Sequence, residues 1–117
     1  MLYMKDWEVC APPGFSLGFE GDNGATVLEV STDLTEEWDL KVDVEKDGKK
    51  NIIQLTKTGM VYSALLTASM LADDGTYAMQ VRGTLGDYVR HSNLFYATVF
   101  RSINAVDFFP PPLPSEF

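Results

Sequence analysis

Apolar and polar positions alternate most cleanly over Trp38-Asp-Leu-Lys-Val-Asp-Val-Glu45. Trp38, Leu40, Val42 and Val44 point one way, and Asp39, Lys41, Asp43 and Glu45 the other. A strict period of two makes one buried and one wet face of a strand, whereas a helix would scatter these residues around its circumference. Lys46-Asp-Gly-Lys49 follows. Asp-Gly between two such runs predicts a type I′ hairpin turn, because both residues accept positive φ, and the return strand is expected over 50–56. Residues 25–31, 60–67 and 76–82 read as further strands. Residues 89–103 form a long aromatic and β-branched run. Phe95, Ala97 and Val99 lie on one side of it, with Leu94, Tyr96, Thr98 and Phe100 on the other. Both sides are apolar, which predicts either a central strand or a face that meets a neighbouring subunit.

Turn residues recur between these runs: Pro12-Pro-Gly14, Gly21-Asp-Asn-Gly24, Asp47-Gly48, Asp73-Asp-Gly75, and 83–87. Short strands at this spacing imply an all-β sandwich or barrel. The one helical competitor, residues 63–71, is short and lacks caps, so it is read as a strand running into a turn. From Asp107 the composition changes to Phe108-Phe-Pro-Pro-Pro-Leu-Pro-Ser-Glu-Phe117. Prolines at 110, 111, 112 and 114 cannot join a ladder, which predicts a semi-rigid polyproline arm. The expected organisation is therefore one sandwich over 1–106 and a proline-rich C-terminal arm over 107–117.

Charge narrows the partners. Seventeen acidic against nine basic residues give a net charge of -8, which repels phosphate backbones and makes nucleic acid a poor partner. The N-terminal residues show no secretory h-region, and no apolar run approaches the ~18 residues of a membrane span. The expectation is a soluble chain made in a cytosol. The single cysteine, Cys10, excludes an internal disulfide and, between Val9 and Ala11, is read as a small buried hydrophobe.

Candidate chemistry is sparse. His91 is the only histidine, and nothing in the sequence places it with Cys10 or an acid as a catalytic set. Asp33, Glu36, Glu37 and Asp39, Asp73 with Asp74, and Asp22 with Asn23 are read as solvated turns rather than calcium loops. No GxGxxG, Walker A or HExxH pattern occurs. No catalytic, cofactor-binding or metal-ligating residue is assigned. Pro111-Pro-Leu-Pro114 satisfies PxxP but is read as linker or packing arm.

Asp74-Gly-Thr-Tyr77, entering an apolar strand, resembles the tyrosine corner of immunoglobulin-like sandwiches. Gly75 permits the tight entry, and the Tyr77 hydroxyl is placed to bond backbone near the corner. Met79 stands where an antibody domain carries its second cysteine, and Trp38 stands in for the core tryptophan. Ala11-Pro-Pro-Gly-Phe-Ser-Leu-Gly-Phe-Glu-Gly-Asp-Asn23 resembles the opening of the N-terminal domains of phage baseplate upper proteins and related prophage proteins. Asp74 to Gly83, Ser92-Asn-Leu-Phe95, Arg101-Ser-Ile-Asn-Ala105 and Pro114-Ser-Glu-Phe117 continue the likeness.

The resemblance implies an immunoglobulin-like antiparallel β-sandwich and a non-enzymatic virion protein of a tail, baseplate or fibre, assembled in the host bacterial cytoplasm. Relatives continue from Pro-(Ser/Thr)-Glu-Phe into a further region; this sequence ends there, so scaffold, fibre-base or decoration roles are expected rather than receptor binding. The implied partners are other virion proteins and copies of the chain. Leu94, Tyr96, Phe100, Phe108, Phe109 and Phe117 are the expected assembly contacts. The alternative is a carbohydrate-binding or host-surface adhesion module using Tyr3, Trp7, Tyr62 and Tyr88.

Overall fold

Strand 5 (β5, Asp39–Lys46) realises the alternating run, with Leu40, Val42 and Val44 buried and the acidic and basic residues turned outward. Trp38 itself falls just before the strand and is only half-buried. The computed structural model describes residues 1–102, which form ten strands and no helix. In chain order the others are β1 (Leu2–Lys5), β2 (Glu8–Cys10), β3 (Ser16–Phe19), β4 (Val27–Thr32), β6 (Lys49–Gln54), β7 (Thr56–Thr58), β8 (Val61–Leu65), β9 (Gly75–Leu85) and β10 (Tyr88–Phe100). The proline-rich arm, with Phe108, Phe109 and Phe117, lies outside the described residues.

The strands form two five-stranded sheets, ordered β2-β1-β4-β8-β7 and β3-β10-β9-β5-β6, packed as a sandwich. Leu2, Met4, Leu28, Val30 and Tyr62 of the first sheet meet Leu40, Val42, Met79, Val81, Ala97 and Val99 of the second in one core. The return strand expected over 50–56 divides: Leu55, 4% exposed, carries the chain from β6 in one sheet to β7 in the other. The sheets are not purely antiparallel as expected, because β1 pairs with β4, and β3 with β10, in parallel. Hairpins force antiparallel neighbours, but these two strands join partners to which no tight turn ties them.

Four two-residue turns shape the hairpins, Gly59-Met60 between β7 and β8 among them. Asp47 and Gly48 have φ 53° and 78°, the type I′ signature that Asp-Gly predicted. In the last hairpin the turn is Gly86-Asp87 rather than the broader 83–87, and Gly83 sits within β9. The first hairpin was not foreseen, because Asp6 and Trp7 hold φ 51° and 62° without a glycine. A bulky residue in this region costs roughly 1–2 kcal/mol. Packing offsets that cost. The Trp7 ring is 8% exposed, meets Trp38 edge-on with centroids 4.9 Å apart, and has the Arg90 guanidinium 5.2 Å from its centroid. It lies so close to Gly83 that a Cβ there would come within 2.3 Å of Trp7 Cη2.

The tyrosine corner forms as expected. The Tyr77 ring is buried and its hydroxyl donates to the Asp73 carbonyl at 2.5 Å. Desolvation, the largest cause, pushes the phenol above its ordinary pKa, so it stays a protonated donor at neutral pH.

Two changes test this framework by urea denaturation. Gly83→Ala overpacks the Trp7 contact and is expected to cost about 1–3 kcal/mol, and Trp7→Leu in the same chain should return part of that loss. Tyr77→Phe leaves the Asp73 carbonyl without its donor and is expected to cost about 1 kcal/mol.

Candidate functional site

A run of exposed apolar side chains lies on the outer face of the second sheet, and a bulge in β10 sets it. Opposite Val81, β10 places two residues, Ser92 and Asn93, between the His91–Arg82 and Leu94–Gln80 pairs. Ser92 is buried, and its hydroxyl oxygen accepts from the Val81 N–H at 2.9 Å, replacing the missing ladder bond. Asn93 leaves the ladder and reaches the other sheet: its Oδ1 accepts from the Val9 N–H at 2.6 Å, and its Nδ2 donates to the Val9 carbonyl at 3.1 Å. A side-chain amide therefore mimics a strand partner for β2 and ties the two sheets along one side. Beyond the bulge the alternation resumes. Phe95, Ala97 and Val99 enter the core, while Leu94, Tyr96 and Phe100 are exposed at 56%, 58% and 47%.

The register carries this outward face across the sheet. Leu94, Tyr96 and Thr98 stand beside Gln80, Ala78 and Thr76 of β9, and Phe100 beside Phe19 of β3, the two phenyl centroids 5.4 Å apart. These eight residues carry no charge. On the β5–β6 side, Asp43 and Glu45 follow next to Gln80 and Ala78, then Ile52 and Lys50. A groove of about 580 Å³ runs over Asp43, Glu45, Ile52, Ala78, Gln80 and Leu94.

The charges bordering the apolar half are paired among themselves. Lys41 Nζ lies 2.9 Å from Asp39 Oδ2, Arg82 Nη2 3.2 Å from Asp43 Oδ1, and Lys50 Nζ 3.9 Å from Glu45 Oε2. The hydrogen bond from Lys41, followed by that from Gln54, holds the Asp39 carboxyl below its usual pKa. Three cations and three carboxylates cancel, so this face is locally neutral in a chain of net charge -8.

Leu94, Tyr96 and Phe100 thus come together on one surface, where Phe19 and Ile52 extend them; the sequence reading had not singled out those two. Gly75 and Tyr77 form the corner at the start of β9, with Lys46 Nζ 6.0 Å from the Tyr77 ring centroid. Cys10 is exposed rather than buried, because Val9 takes the inward position of β2 and alternation turns its neighbours out. Two of the four aromatics assigned to a sugar platform are core residues. Trp7 is 8% exposed and Tyr62 1%, with the Tyr62 hydroxyl donating to the Trp38 carbonyl at 3.0 Å. Tyr3 and Tyr88 are exposed.

The acidic turns are engaged locally. Asp22 accepts from the Phe19 N–H at 3.0 Å, Asn23 from the Ala68 N–H at 3.0 Å, and Asp33 from the Asp6 N–H at 3.2 Å. Among the described residues, no three His, Cys, Asp or Glu side chains converge as metal ligands, and no helix is long and apolar enough to cross a membrane. No protein-family model matches the chain, and no curated protein matches it.

Asn93→Ala removes both bonds to Val9 and is expected to cost about 1–2 kcal/mol in urea unfolding. Faster hydrogen exchange at the Val9 amide than at the Met79 amide would locate the damage in β2.

Proposed function

We propose that the chain is a non-enzymatic structural module of a phage virion, part of a tail, baseplate or fibre, which assembles through the outer face of its second sheet against a second copy of itself. The observation that carries the reading is the neutral, half-apolar face of Phe19, Leu94, Tyr96 and Phe100 in a strongly acidic chain. Exposed apolar area of this kind gains free energy when covered. Most of the molecular surface would set like charge against like between two copies. This face would not, because its ion pairs already cancel, and a two-fold axis would lay its apolar half on itself.

The virion context is supported by the likeness of residues 11–23, 74–83 and 92–95 to phage baseplate upper protein domains. The Ser92-Asn93 step within that likeness forms the bulge that aims Leu94 and Tyr96 outward. Five strands at ~4.8 Å spacing and about six residues at ~3.3 Å rise make a face roughly 24 Å by 20 Å. That is smaller than the ~800 Å² per partner of a standard interface, so pairing of two isolated copies is weak and concentration-dependent.

Sedimentation velocity over a concentration series checks the pairing. The wild-type chain should shift toward dimer with rising concentration, and Leu94→Asp with Tyr96→Lys should remain monomeric with unchanged urea stability. A wild-type chain that stays monomeric throughout would exclude the second copy as occupant. Co-sedimentation with phage particles tests the context: a chain absent from purified particles would overturn the virion reading.

A further inference from the structure

A second concave surface opens between the second sheet and the 66–73 connection at the Tyr77 end of the sandwich, remote in register from the Trp7 end of β9. We infer that this cleft binds a small amphiphilic anion: an alkyl carboxylate whose tail lies between the second sheet and the 66–73 connection and whose head meets Lys49 and Lys46.

The cleft measures about 190 Å³ and its floor is made by Leu17, Ile53, Leu66 and Leu71, all core side chains. Its mouth carries Lys46 and Lys49; Lys50 borders it but turns its Nζ toward Glu45 on the outer face, and the acidic Asp73 also lines it. Strand register explains the convergence. Lys46 pairs with Lys49 at the end of the β5–β6 hairpin, two positions beyond the Val44–Asn51 pair, whose Val44 faces the core. Both lysines therefore share the inward-facing parity, but beyond the last core layer.

Gly75 makes room for the first of them, since a Cβ there would come within 2.9 Å of Lys46 Cε. Lys46 Nζ is held by Asp47 at 2.6 Å, leaving Lys49 as the mouth lysine that makes no ion pair among the described residues. An apolar floor under a cationic rim is complementary to a carboxylate on a short chain. The volume admits about six groups of water size at ~30 Å³ each, so the inserted part is a short alkyl segment. Lysines on an edge hairpin also discourage strand addition. That role needs no apolar cleft behind them, and it gives the test its second outcome.

The probe is sodium octanoate, titrated into the full chain and followed by amide chemical shifts. Octyl glucoside, with the same tail and no charge, and acetate, with the same head and no tail, are run in parallel. Octanoate should shift the Lys46, Lys49, Leu66, Leu71 and Tyr77 amides saturably. Both controls should bind at least about tenfold more weakly, the scale of one charge-assisted hydrogen bond. Lys49→Ala should weaken octanoate about tenfold, Lys49→Arg should largely keep it, and Lys5→Ala on β1 should leave it unchanged. Equal binding of octyl glucoside, shifts confined to Leu94 and Tyr96, or an unaltered Lys49→Ala titration would each overturn the assignment.

Discussion

The Trp7 indole lies against the backbone of Gly83, and this contact joins the two sheets at the end away from the tyrosine corner. Trp7 belongs to the β1–β2 turn of the first sheet, Gly83 to β9 at the centre of the second. With one cysteine in the chain, no covalent bridge can hold the sheets together, so side-chain burial must do so. The contact demands a residue without Cβ on one side and a left-handed backbone on the other, at φ 62°. Neither is favourable alone: glycine weakens a strand, and an aromatic residue avoids positive φ. The two costs are accepted together because they bring a large ring into the core, where Trp38 and Arg90 complete its surroundings.

At the opposite end the Tyr77 hydroxyl bond to Asp73 fixes the entry into β9 with a local device. Between them, Asn93 stitches β10 to β2 by imitating a strand. The three fastenings differ in how far they act along the chain, and this explains what the sequence disclosed. Asp74-Gly-Thr-Tyr77 closes over four residues, so its pattern is readable. Asn93 meets Val9 and Trp7 meets Gly83 across most of the chain, and no local spacing announces either. Gly83 looked like a turn residue because a glycine needed for close approach and one needed for positive φ are identical in a sequence.

The strands show the same division. β5, with one wet and one buried side, and its Asp-Gly turn were legible because alternation and turn chemistry agree. β1 to β3 were not foreseen: they are three or four residues long, too short for a period to register, and a turn of Asp6-Trp7 has no glycine to mark it. Cys10 was misjudged for a related reason. Apolar neighbours suggest burial, but in a three-residue strand alternation turns either the centre or the flanks inward, and here the centre is Val9. Leu94, Tyr96 and Phe100 were readable as an apolar second face of β10; Phe19 and Ile52 join them only through the register of β3 and β6.

The β5–β6 hairpin shows how one segment can serve two surfaces without coupling them. Lys50 shares the parity of Ile52 and pairs with Glu45 on the outer face, where it helps to neutralise the surface around Leu94 and Tyr96. Lys49 has the opposite parity and stands at the mouth of the cleft under the 66–73 connection. Adjacent lysines thus point to opposite sides of the sheet, and a substitution at one leaves the charge balance of the other side intact. An anion held at Lys49 would sit behind the sheet and not on it, so it would neither screen the ion pairs of the outer face nor compete with a second copy for Leu94 and Tyr96. The proposed assembly and the proposed ligand binding are therefore separable by single changes within one strand, which follows from the two-residue period of β structure.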